Sequence, residues 1–145
     1  MFRQTVDRCP DDLWLAGKHP RAYWRIAFHA SYYAHMYLSQ DLESFKPWGK
    51  TRVDCRILWD QPKVEEPYSK AEILEYIDFI AQIAPERMQA LDLTAPYCGF
   101  PWYQDLSKIE HLFLALRHLQ GHVGQLSELL MARDIEIDWI GPMTI

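Results

Sequence analysis

A chain of 145 residues is one domain's worth, and 49% apolar with 24% charged residues is the composition of a globular protein, not a disordered one. Such a length lets roughly two-thirds of the unfolded surface be buried without crosslinks. The net charge of −5, from 15 Lys and Arg against 20 Asp and Glu, argues against a duplex nucleic-acid binder, which needs a basic face. Cys9, Cys55 and Cys98 are odd in number, far apart and without a CxxC pair. They make neither a disulfide framework nor a thiol-only zinc site, and free thiols in a reducing cytoplasm are expected. Met1–Pro10 is polar and charged, unlike a signal peptide, and no uncharged apolar run approaches the roughly 20 residues of a membrane span. A cytoplasmic location without membrane partners follows as the expectation.

In chain order, Phe2–Cys9 has room for only about two helical turns before Pro10 and Asp11-Asp12 interrupt. Gly17-Lys18-His19-Pro20 reads as a break and a new start, with Pro20 suited to the first helical position. From there to about Ser39 neither Gly nor Pro intervenes, and the run is apolar around most of its circumference, as in a buried helix. Its weakest side carries Arg21, Arg25, Tyr32, His35 and Ser39, which is expected to face solvent.

Lys46–Pro67, with Pro47, Gly49, Pro62 and Pro67, is a long connection without helical period. Either it packs over the bundle through Trp48, Leu58 and Trp59, or it is a long surface loop. Ser69-Lys70-Ala71-Glu72 is a capping box that opens a helix with Ile73, Ile77, Ile80 and Ala84 on one face. Pro85 is expected to kink or restart this helix, which runs to about Leu91. After a Pro- and Gly-containing loop at Thr94–Gln104, a second capping box, Ser107-Lys108-Ile109-Glu110, opens the last helix, which continues to about Arg133. Its apolar face runs through Ile109, Leu112, Leu116, Leu119, Val123, Leu126 and Leu130. No segment alternates convincingly as a strand, and Ile135-Glu136-Ile137 is too short for one. The reading is all-α: a single domain over residues 1–145, an antiparallel bundle with one long crossover.

Of six histidines, only His118 and His122 have ligand spacing on a clear helix. Four residues apart, they project from the same side one turn apart and can point at one ion. Both stand at the border of the Leu/Val face, so they are either ligands or hydrogen-bonded border histidines. A third ligand must come from another helix. His29 falls beside Ile26, Tyr33 and Met36 on the apolar side, whereas His35 falls with the arginines, so His29 is the candidate unless it is simply a core histidine. His111 stands two turns before His118, roughly 10 Å along the axis, which suits a substrate or surface role. His19, before Pro20, is expected to be solvated. Gln125 and Tyr33 lie where they can orient an imidazole or a bound ligand, or simply pack. No carboxylate on the histidine faces offers itself as general base.

The segment YWRIAFHASYYAHMYLS, followed much later by LRHLQGHVGQL, resembles the DinB-like family, also called DinB/YfiT-like metalloenzymes. (This is the damage-inducible bundle family, not the lesion-bypass polymerase.) YSKAEILEYID and Trp139 are also family-like, and the resemblance runs from about Pro10 onward. It implies a four-helix bundle with a long loop between the second and third helices. It also implies a divalent metal held by one histidine of the second helix and two of the fourth: here His29, His118 and His122. Family members begin with a first helix of several turns, whereas Met1–Cys9 supplies at most about two. Either that helix is truncated or another chain covers the groove it leaves, so a homodimer is expected.

Three neutral imidazoles leave a divalent ion with net charge and room for another ligand, the pattern of a catalytic site. Nitrogen ligands suit zinc, nickel or iron. Some DinB-like proteins are thiol-dependent S-transferases, so the resemblance implies a small-molecule substrate and activation of a low-molecular-weight thiol or of water. Three readings stand at this point: a metal-dependent transferase or hydrolase, a metal-binding or sensor module without turnover, and a structural homo-oligomer whose histidines only pack.

Overall fold

The computed structural model describes residues 1–59, 64 and 66–139. Among them the chain is all-helical, with five α-helices and one 3-10 turn: α1 (Phe2–Asp7), α2 (Asp11–Trp14), α3 (Tyr23–Tyr37), the turn Val53–Cys55, α4 (Lys70–Ala90) and α5 (Lys108–Met131). Both capping boxes form: the hydroxyls of Ser69 and Ser107 accept from the backbone N–H of Glu72 and Glu110, whose carboxylates reach back to the serine N–H. α4 continues through Pro85 as one helix and does not restart. The carbonyl that loses its partner there belongs to Ala81, which is exposed, so water can satisfy it. None of the described helices is long and apolar enough to cross a membrane.

α3 is the axis around which the rest assembles. It opens at Tyr23, not at Pro20, which lies in the preceding turn after a cis peptide bond. Packing on α4 and α5 covers two of its sides, and the long connection covers a third. The expectation that Arg25, Tyr32, His35 and Ser39 face solvent is therefore wrong: all four are buried, and of that set only Arg21 is exposed. His35 packs edge-on against Phe45, Tyr76 and Phe79, and its Nδ1 lies 3.0 Å from the Tyr76 hydroxyl. The Arg25 guanidinium donates to the Asp54 carbonyl of the 3-10 turn. A helix wheel reports only what one helix offers. Burial also depends on what the chain lays over it.

The 46–67 connection does pack down on the bundle. The Trp48 ring stacks on Tyr76 at 4.4 Å, Leu58 and Cys55 are buried, and the Tyr68 ring stacks on Phe28 at 4.5 Å. The Tyr68 hydroxyl donates to the Lys50 carbonyl and accepts from the Arg52 N–H, closing the loop on itself. Trp59, expected as an apolar anchor, is exposed instead, and Pro62 lies outside the described residues. The second long loop is pinned at Gly99, whose φ of +82° a side chain would strain and where a Cβ would meet the Asp41 Cβ at 2.4 Å. The three cysteines are free and buried.

α1 seats between α4 and α5, against the N-terminal half of the former and the C-terminal half of the latter, as the Arg3–Asp78 ion pair and the shared contact of Thr5 and Leu126 with Tyr23 show. Among the described residues the trough stays open where α1 does not reach. Ile80, Met88, Ile109, Leu112 and Phe113 are among the side chains lining its open part, a volume of about 440 Å³. The periodic face of α5 is accordingly buried only at Val123, Leu126 and Leu130, while Phe113 and Leu116 are 67% and 65% exposed.

His111, expected in a substrate or surface role, is instead fully buried. Its ring stacks on Phe100 at 4.6 Å and meets Tyr37 edge-on at 4.6 Å, and neither ring nitrogen has a hydrogen-bond partner. Burial pushes its pKa down to about 4, and that of His35 likewise to about 4. Between about pH 4 and 6.5 the unfolded chain binds protons at these positions that the folded chain does not. Stability therefore falls as pH drops through that window, by up to about 1.4 kcal/mol per pH unit for each group. His111→Phe should remove one proton's worth of this slope, read as a smaller loss of thermal stability between pH 6.5 and 4.5 than in the wild type. An unchanged slope would show that His111 titrates normally.

Candidate metal centre

His29, in the middle of α3, and His118 and His122, one turn apart on α5, meet where the two antiparallel helices cross. The His29 and His118 Nε2 atoms are 3.1 Å apart and those of His122 and His118 are 3.2 Å apart. One ligand atom from each ring lies within 4.8 Å of the other two, and among the described residues these three alone form such a group. Two nitrogens about 2.05 Å from one ion at a tetrahedral angle stand about 3.3 Å apart, so the observed spacing is that of ligands around a single cation.

Hydrogen-bond bookkeeping leads to the same place. His29 Nδ1–H donates to the Arg56 carbonyl at 2.6 Å, and His122 Nδ1–H donates to the Gln125 Oε1 at 2.8 Å. Each of these outer bonds fixes the tautomer and leaves Nε2 as a bare lone pair. His118 Nε2 can donate one proton at most, which cannot satisfy both neighbours. At least one inward lone pair is left facing another nitrogen, an arrangement that a cation resolves. The donor set therefore fits a divalent metal ion.

Burial keeps the rings neutral. It pushes His29 down to about 3, with the Arg56 carbonyl opposing and the neighbouring His122, His118 and Arg25 adding to the shift. It pushes His118 down to about 4, helped by His122 and Arg117, and it lowers His122 against the opposing Gln125 bond.

Of the remaining residues singled out from sequence, Tyr33 stands with its ring 4.6 Å from His29 and 5.4 Å from His118. Gln125 bonds His122. His35 and His111 lie in the core, away from the cluster, and His19 is exposed on the far side of the 17–22 turn.

Two contributors escaped the sequence reading. The Arg56 carbonyl orients His29, and Arg25 holds the Asp54 carbonyl two residues earlier in the same turn, so a buried cation one helical turn before His29 supports its acceptor. A backbone acceptor leaves no residue-type signal in the sequence. The second is a cavity of about 510 Å³ beside the cluster, with the His29 and His118 rings on its floor and Tyr33, Tyr37, Trp59, Trp102 and Tyr103 around it. Among the described residues no charged side chain lines it.

A resident ion at this point would be reachable from solvent through the cavity, and no fourth protein ligand closes the cluster among the described residues. That separates it from a closed structural site. The chain matches no protein-family profile, no curated protein and no solved structure.

Proposed function

We propose that this chain is a divalent-metal-binding protein with the DinB-like arrangement of a helical bundle. We further propose that it is a metal-dependent enzyme acting on a thiol, with thiol S-transfer as the reaction. The observation that carries this reading is the convergence of three Nε2 atoms on one point beside an open cavity. A divalent ion there, zinc, nickel or iron, would lower the pKa of a bound thiol or water.

The chain's own part is positional. Arg56 and Gln125 hold the His29 and His122 rings in register, burial keeps the imidazoles neutral, and Tyr33 and Tyr37 wall the approach from α3. In the reaction proposed, a thiol loses its proton to solvent. Its sulfur then forms a bond to an electrophilic carbon of the second substrate, and the bond from that carbon to its leaving group breaks, with the electron pair departing on the leaving group. Thiol chemistry is favoured over hydrolysis because, among the described residues, no carboxylate lines the cavity to act as general base on water.

Elemental analysis of the purified protein tests the reading, with close to one divalent ion per chain expected. Transfer of 2-mercaptoethanol onto 1-chloro-2,4-dinitrobenzene, followed by absorbance, should be faster with metal-loaded protein than with chelator-treated protein. An ion without any turnover would favour the non-catalytic module. A protein that neither carries metal nor gains thermal stability from added zinc, nickel or iron would leave the histidines as packing residues.

A further inference from the structure

Of the six tryptophans, Trp139 is exposed after α5 and away from the cavity lining, and the other five divide into two groups. Trp14, Trp24 and Trp48 are buried in the core, whereas Trp59 and Trp102 are 56% and 48% exposed and stand at the rim of the cavity beside the histidines. The two come from different loops, before α4 and before α5, and face a wall of Tyr33, Tyr37 and Tyr103. Two loops bringing exposed indoles to one cavity is not what core packing requires, since neither ring fills the core.

The chemistry of the lining selects among ligands. A molecule bearing carboxylates or phosphates would have to shed water with no Lys or Arg among the described lining residues to receive it, which is costly. A cation would find aromatic faces but no carboxylate among the described lining residues, and an ion held by the histidines would add positive charge at the cavity floor. A flat uncharged ring system meets neither objection and gains stacking on five aromatic side chains. The volume of about 510 Å³ is ample for two fused rings and falls in the range of small-molecule pockets.

Building on the metal-centre reading, we propose that the ligand taken up here is a flat, uncharged aromatic or conjugated molecule that presents a single donor atom toward the three histidines. Trp59 and Trp102 are the residues that recognise its flat body.

Calorimetric titration of the full chain, zinc-loaded and metal-free, tests this. Zinc-loaded protein should bind 2-naphthalenethiol at least about 10-fold more tightly than 2-mercaptoethanol, which lacks the flat body, or glutathione, which carries charges. Trp59→Ala and Trp102→Ala should each weaken 2-naphthalenethiol by about 10-fold while leaving zinc stoichiometry and 2-mercaptoethanol affinity unchanged. Both side chains are exposed, so neither change should unfold the protein. Metal-free protein should still bind 2-naphthol, more weakly and in a Trp102-dependent way. That last arm separates the two ideas. If zinc fails to bind but 2-naphthol binding survives and depends on Trp102, the metal reading falls and the aromatic site stands. Equal affinity for glutathione, tighter binding of phenyltrimethylammonium than of 2-naphthol, or indifference to both tryptophan changes would overturn the proposal.

Discussion

His118→Ala and His122→Ala should each abolish stoichiometric binding of a divalent ion while leaving helical content nearly unchanged. Both rings are only partly buried, and His118 lines the cavity, so neither is needed to close the core. Each supplies one of only three ligand atoms, and no other His, Cys, Asp or Glu among the described residues stands close enough to substitute. Losing an outer-shell partner alone typically costs 10–100-fold in metal affinity, so losing a ligand should cost more than about 100-fold.

His29→Ala should have the same effect on metal and a larger one on stability, because that ring is buried and bonded to the Arg56 carbonyl. His35→Ala is the control with the opposite pattern. It should keep the ion but melt at a lower temperature, since its ring fills the space between Phe45, Tyr76 and Phe79. Metal content by elemental analysis and helicity by circular dichroism read both quantities on one sample. Full retention of metal by any of the three cluster variants would mean that the ion, if present, is held elsewhere.

Lys108→Met should destabilise the fold by about 3 kcal/mol, a drop on the order of 10 °C in melting temperature for a domain of this size. Lys108 opens α5, yet it is fully buried. Its ammonium donates to the carbonyls of Ser39 at 2.6 Å, Gln40 at 2.9 Å and Cys98 at 3.5 Å. It thereby ties the first turn of α5 to the end of α3 and to the loop that carries Trp102. Two of the acceptors follow the C-terminus of α3, where a positive charge complements the helix dipole.

Burial lowers the pKa of Lys108, with Cys98 and Asp41 opposing. Methionine keeps the volume but leaves the carbonyls without their charged donor, and a buried acceptor without a partner costs about 1–3 kcal/mol. Thermal and urea unfolding should agree on the loss. A change below about 1 kcal/mol would show that water replaces the ammonium at no cost.

Local patterns in the chain determined α4, α5 and the pairing of His118 with His122. Ser69 and Ser107 announce α4 and α5 because a capping box is satisfied within four residues, and it forms as read. His118 and His122 share a side because 3.6 residues make a turn, and the apolar neighbours of His29 turned it inward. What the sequence could not carry is anything set by how distant segments meet. Arg25, Tyr32, His35 and Ser39 look like an outer face on α3 until α4 and the connection leading to it cover them. Lys108 occupies a position in its capping box that is free to be solvated. It is buried only because the end of α3 passes beside it. The acceptor for His29 is a main-chain carbonyl, which any residue would supply. The aromatic cavity exists because two loops, separated by the whole of α4, bring Trp59 and Trp102 to the same histidines. Helical periodicity and caps are short-range and leave a trace in the spacing of residues. Burial, main-chain acceptors and cavities depend on long-range packing and leave none.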